Sequence, residues 1–233
     1  MVYKFLLFDA DDTLFDFQSS AEKCFLETCK EFGFEKEKSD YSVYKVINQR
    51  LWDEYSRGER DKASVLVDRY SEYNETMGVY ADPTEFQLSY EEKLAHTSIV
   101  FPETESCLKR LKADGYKIYL ITNGVKYVQN TRLDLSGLRP YFDGIFISDE
   151  LGVAKPSDEY FNAVASAIPD FDKDAALIIG DSLVSDIPLG KNNGVKTCFM
   201  NYFDEPLPEN EIYDYKIRRL NELFKILEEN NNG

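Results

Sequence analysis

Apolar residues along this chain gather in two kinds of pattern. Five short runs, YKFLLF at 3–8, YKIYLI at 116–121, GIFIS at 144–148, AALIIG at 175–180 and VKTCFM at 195–200, are apolar on successive positions and meet polar residues abruptly. A strand buried on both faces reads this way, because neither side of its pleat meets water. Between the runs, at 103–114, 126–136, 157–167 and 184–193, and again at 219–229, apolar residues recur at helical intervals. Strand and helix in alternation predict right-handed βαβ units: an α/β core with a doubly wound parallel sheet, the first strand central. Residues Asn230–Gly233 are expected to fray beyond the last helix.

The alternation breaks between 17 and 97. That block carries helical periodicity at 18–32, 41–56, 61–77 and 84–95, closed by Gly33, Gly58 and Gly78 and, for the last helix, entered through Asp82-Pro83. It predicts a four-helix insertion, 17–97, in a core made of 1–16 and 98–233. No internal repeat and no low-complexity linker interrupts either part.

Composition narrows the function. At 233 residues, with 43% hydrophobic and 30% charged positions, the chain has room for one sizeable core and a smaller added domain. No apolar run approaches the roughly 20 residues of a membrane span, so a soluble protein without a membrane partner is expected. The opening MVYKFLLFDADDTLF is too short in its apolar part, and too soon acidic, for a signal peptide. Cys24, Cys29, Cys107 and Cys198 form no CxxC pair and His96 is the single histidine; buried free thiols in a reducing cytoplasm are expected, and a zinc site is not. A formal net charge of −16 argues against a nucleic-acid polymer as partner, since polyanion binding needs clustered Lys and Arg. A phosphorylated ligand would need a metal ion or a few placed cations.

Four strand ends carry polar residues of a particular kind: Asp9-Ala10-Asp11-Asp12-Thr13, Thr122-Asn123-Gly124, Gly152-Val153-Ala154-Lys155-Pro156, and Gly180-Asp181-Ser182 with Asp186. In an open parallel sheet, ligands bind outside the carboxyl ends of the strands, so these segments should converge. Asp9, Asp11, Asp181 and Asp186 in one pocket would repel one another unless a hard cation neutralised them, and all-oxygen ligation suits Mg²⁺. A carboxylate at a strand tip, Asp9, can attack a phosphoryl group and divide one displacement into two. Asp11 can protonate the leaving oxygen and then deprotonate water. Thr122, Asn123 and Gly124 offer donors to phosphoryl oxygens, and Lys155 offers a fixed positive charge.

The segments FDADDT, ITNG, KP and GDSLVSD, in this order and spacing, resemble the four motifs of the haloacid dehalogenase-like hydrolase superfamily. The resemblance implies a Rossmann-like core and makes Asp9 the nucleophile and Asp11 the acid/base. It implies a metal held by Asp9, the main-chain carbonyl of Asp11, and Asp181, with Asp186 supporting the metal waters and Lys155. An inserted helical cap is typical of one subgroup. Dehalogenases share that cap but lack the second aspartate, so Asp11 points to a phosphatase. Longer stretches, DADDTLFDF, VINQRLWDEYSRGE and ITNGVKYVQNTRLDLSGLRPYFDGIFISDELGVAKP, are similar to pyrimidine 5′-nucleotidases that remove noncanonical nucleoside monophosphates. Asp12, where that group often has Glu, and Ser157-Asp158 after the KP pair depart from it.

A nucleoside monophosphate is therefore the first expected substrate. A phosphatase or mutase of small phosphosugars or phospho-acids, and a non-catalytic binding protein on the same scaffold, are the alternatives. Among single residues, Thr13 is expected to hold its own loop through a backbone hydrogen bond. Phe15, Phe17, Trp52 and Tyr55 are aromatic enough to stack on a base, with core packing as the plainer expectation. Arg132 and Arg139 are expected to serve local structure, and His96 is assigned no role.

Overall fold

The computed structural model describes residues 2–207 and 212–231. The chain divides into two compact units, one of Met1–Asp16 with Ile99–Gly233, the other of Phe17–Ser98.

The first unit is built on a parallel sheet of six strands: β1 (Phe5–Phe8), β2 (Lys117–Thr122), β3 (Gly144–Ile147), β4 (Ala176–Gly180), β5 (Lys196–Met200) and β6 (Tyr215–Ile217), in the order β3-β2-β1-β4-β5-β6. The strand order reverses between β1 and β4, which opens a crevice beyond their carboxyl ends. The central strand is wholly apolar, and alternation sends its residues into two cores. Leu6 and Phe8 pack with Ile118, Leu120, Leu177 and Ile179 on one face. Phe5 and Leu7 pack with Tyr119, Ile121 and Ile178 on the other.

The second unit is helical: α1 (Phe17–Glu31), α2 (Tyr41–Ser56), α3 (Lys62–Met77) and α4 (Pro83–Ala95). Asp40, Asp61 and Asp82 cap α2, α3 and α4 by accepting hydrogen bonds from main-chain N–H groups of the first turn. Gly78 ends α3 at φ 61°, a left-handed turn that glycine makes without strain. Its core is aromatic, with Phe25 stacked on Tyr44 at 4.3 Å and Tyr44 on Tyr70 at 5.5 Å. Arg69 is buried among these rings and donates to Asn48 and Gln87 at 2.7 and 2.6 Å.

The remaining helices cover the sheet: α5 (Thr104–Ala113), α6 (Lys126–Ser136), α7 (Ser148–Leu151), α8 (Asp158–Ala167), α9 (Asp186–Asn193) and α10 (Leu223–Asn231). Leu108, Leu133 and Leu223, from α5, α6 and α10, seal one face, and Tyr160 and Leu189, from α8 and α9, the other. Where the chain leaves and re-enters this unit, Asp16 N–H donates to Ile99 O at 3.0 Å and Phe101 N–H to Leu14 O at 3.2 Å.

Two elements and one residue differ from the sequence expectation. The edge strand β6 and the single turn α7 were not anticipated, and Asn230, expected to fray, is held in α10. Its Nδ2 donates to Ile226 O at 2.8 Å and its Oδ1 accepts from Tyr215 OH at 3.2 Å; residues 232–233 lie outside the described residues. Among the described residues no helix is long and apolar enough to cross a membrane.

Candidate active site

Asp9 stands one residue beyond β1, its main-chain N–H donating to Ile179 O of β4 at 2.8 Å. Asp181 follows β4 directly, and Asp186 opens α9. Carboxylate oxygens of these three lie within 4.8 Å of one another. Lys155, buried in the loop before α8, donates to Asp9 Oδ1 at 2.5 Å, Asp186 Oδ1 at 2.6 Å and Ile121 O at 3.0 Å. Those three bonds use every proton of the ammonium. The other oxygen of Asp186 accepts from Ser182 N–H at 3.1 Å. Gly180 makes this approach possible: a Cβ there would fall 2.2 Å from Asp186 Oδ2.

One lysine among three carboxylates leaves the cluster negative. Burial, with the charges of Asp186 and Asp11, pushes the Asp9 carboxyl up to about 8 despite the neighbouring lysine. Burial and the charges of Asp9, Asp12 and Asp186 hold Asp181 well above the usual carboxylate range. Lys155 is raised as well, because the attraction of Asp186 and Asp9 outweighs the cost of burying its charge. A hard divalent cation fits this donor set, being all carboxylate oxygen, close-spaced and short of positive charge. Asp9 and Asp181 are the better placed to hold it, since both oxygens of Asp186 already take protein hydrogen bonds.

Thr122 ends β2, and its hydroxyl accepts from Gly124 N–H at 3.0 Å and, more loosely, from Gln129 Nε2 at 3.4 Å. Two incoming bonds leave the hydroxyl its own proton to donate. Asn123 spends its side chain elsewhere. Its Nδ2 donates to Lys155 O at 2.8 Å and its Oδ1 accepts from Lys155 N–H at 2.9 Å, so it clamps the main chain that carries the lysine.

Asp11 turns its carboxylate toward α6. Oδ1 accepts from Arg132 Nη1 at 2.5 Å and Oδ2 from Gln129 Nε2 at 2.6 Å. Neither partner was singled out in the sequence as part of the site, and Arg132 was expected to serve local structure only. It is wholly buried, stacked with its guanidinium carbon 4.4 Å from the centre of the Phe15 ring. The only sequence signal was a Gln and an Arg one helical turn apart in a segment that also had to face the sheet.

Thr13 Oγ1 is buried without a hydrogen-bond partner among the described residues, so it does not tie the loop as expected. Phe15 is core. Trp52 and Tyr55 meet edge to face at 5.7 Å, with Lys62 Nζ 5.9 and 5.5 Å from their ring centres. Arg139 pairs with Asp134 and donates to Asn130, a local role as expected. All four cysteines are free and buried.

The model of the haloacid dehalogenase-like hydrolase family matches residues 3–194, most of the chain. The chain belongs to that family. Among these hydrolases, a crystal structure of YfnB from Bacillus subtilis bound to magnesium superposes with a TM-score of 0.91, at 35% identity, over 97% of this chain and 99% of the other. The pyrimidine 5′-nucleotidase YjjG of Escherichia coli is 31% identical, over 97% of this chain and 99% of its own. The pyrimidine 5′-nucleotidase PynA of Streptococcus pneumoniae is 32% identical, over 93% of both.

Proposed function

We propose that this hydrolase is a magnesium-dependent phosphatase that works through a phosphoryl group carried on Asp9, with pyrimidine nucleoside 5′-monophosphates as its substrates. The observation that carries the mechanism is the Asp9 carboxylate at the end of the central strand, with one oxygen engaged by Lys155 and the other left for attack. Asp9 Oδ2 would bond to phosphorus as the bond to the ester oxygen breaks, and Asp11 would give that oxygen its proton. Water would then attack the same phosphorus, passing a proton to Asp11, and Asp9 would leave as carboxylate with inorganic phosphate released.

Thr122 would donate its hydroxyl proton to a phosphoryl oxygen, with Gly124 holding that hydroxyl through its main-chain N–H; Asn123 would offer a main-chain donor, and Lys155 would oppose the negative charge of the transition state. Asp186 keeps that ammonium in place. Mg²⁺, held by Asp9, the carbonyl of Asp11, and Asp181, would supply a Lewis acid that offsets the charge of the phosphoryl oxygens. The substrate class rests on similarity to YjjG and PynA over nearly the whole chain.

A phosphate-release screen over UMP, dUMP, dTMP and a panel of phosphosugars, with and without EDTA, tests both levels. Rapid release from the pyrimidine nucleotides, silenced by EDTA and absent in Asp9→Asn, is expected. Activity retained by Asp9→Asn would sink the mechanism. Fast cleavage of a phosphosugar with the nucleotides ignored would sink only the substrate class.

A further inference from the structure

The pairing of Asp11 with two side chains of α6 is more than packing requires. A guanidinium wholly out of water is costly to bury unless an anion meets it, and Arg132 meets Asp11 Oδ1 at 2.5 Å. Arg132 also stacks on Phe15, whose main-chain carbonyl accepts from Asp12 N–H at 2.8 Å, so it braces both limbs of the turn carrying Asp11. Gln129, one helical turn earlier and almost fully buried, takes the second oxygen of Asp11 at 2.6 Å and touches the Thr122 hydroxyl at 3.4 Å with the same nitrogen. Space for this is reserved at Gly124, where a Cβ would lie 2.1 Å from Gln129 Nε2. The Asp11 side chain is nevertheless 27% exposed, so one side of the carboxyl group stays open.

We propose that Gln129 and Arg132 are positioning residues for the acid/base chemistry of Asp11. Held at both oxygens by neighbours on one helix face, the carboxyl group has a single orientation, set by α6. Gln129 ties that orientation to the Thr122 hydroxyl, so the proton donor and a phosphate donor share one rigid support. This rests on the reading of Asp11 as the acid/base given above, and both α6 side chains act through the Asp11 carboxyl group.

The test compares two aryl esters that differ in their need for a proton. p-Nitrophenolate leaves unaided, whereas phenolate, a stronger base, depends on the acid. Gln129→Leu, Arg132→Met and Arg132→Lys are made in the full chain. Folding is checked by thermal unfolding, and first-turnover phenol release is measured across substrate concentration with magnesium present. Saturating rates for phenyl phosphate should fall about 10- to 100-fold and those for p-nitrophenyl phosphate only a few-fold, half-saturation changing little, since part of a general-acid contribution is lost. Arg132→Lys should recover part of the loss. In an Asp11→Asn background, Gln129→Leu should add nothing, as expected for residues acting through one another.

Equal losses on the two esters, no loss, or losses that add to that of Asp11→Asn would overturn the proposal. Should Arg132→Met fail to fold, Gln129→Leu and Arg132→Lys carry the same comparison. An Asp11→Asn enzyme as fast as the parent on phenyl phosphate would overturn the acid/base reading itself, and is distinguished by needing no α6 variant.

Discussion

Replacing Lys155 with methionine keeps most of the aliphatic stem and removes one charge from the centre of the acidic cluster. The ammonium lies 2.5 Å from Asp9 Oδ1 and 2.6 Å from Asp186 Oδ1, with only 2% of the residue exposed. At an effective dielectric of about 20, each such pair is attracted by roughly 6 kcal/mol, of which desolvation takes back several. Removing one partner of a buried pair costs about 3–5 kcal/mol, and the upper end is expected because two carboxylates lose the same cation. The carboxylates can escape the penalty by taking up protons. Burial already raises Asp9 to about 8, and loss of Lys155 removes the influence that most opposes that rise. From about pH 4, the unfolded carboxylate value, upward through the folded one, the variant's native state binds more protons than its unfolded state. Stability must then fall as pH rises. Urea unfolding in EDTA at about pH 5.5 and about pH 8.5 should show a small loss at the first and the full loss at the second. Equal losses at both would mean that Lys155 acts by packing alone, and the electrostatic account of the cluster would fail.

Two further outcomes follow from the same geometry. Gly180→Ala should cost about 1–3 kcal/mol in stability by overpacking, and should lower phosphate release by displacing Asp186, whose Oδ2 the new methyl would meet at 2.2 Å; unchanged activity would show that Asp186 need not hold Lys155. Magnesium should raise the unfolding temperature more at about pH 8 than at about pH 5, because a cation displaces protons held by the raised carboxyls of Asp9 and Asp181. A shift independent of pH would place the ion elsewhere.

Helix α2 was legible to the residue, predicted at 41–56 and found at Tyr41–Ser56, because its apolar residues recur at helical intervals and Gly58 lies just past its end. The five apolar runs marked five strands, since burial on both faces leaves a mark in the local sequence. β6 left none: it is three residues long at the sheet edge, with Lys216 exposed in its middle. The strand-end residues Asp9, Thr122, Lys155, Asp181 and Asp186 could be placed together because parallel topology dictates where strand ends meet. Gln129 and Arg132 could not be, since a polar face on a helix looks the same whether it meets water or a carboxylate 118 or 121 positions upstream. The Asn123 side chain, read as a donor to phosphoryl oxygens, instead binds the main chain of Lys155, a partner 32 positions away that the sequence does not mark.

The hydrogen bond between Asp16 and Ile99 closes the catalytic unit across the whole helical segment in a single step. Beside it, Phe15 bridges to Val100 and Leu14 O accepts from the Thr104 hydroxyl at 2.8 Å, so departure and return form one seam within the fold. Chain-closure entropy grows only with the logarithm of loop length, and the seam therefore tolerates intervening segments of very different sizes. In evolutionary terms the helical segment is a cassette. It can be lengthened, exchanged or lost by changes confined to one continuous stretch of gene, while the sheet that fixes Asp9 keeps its register.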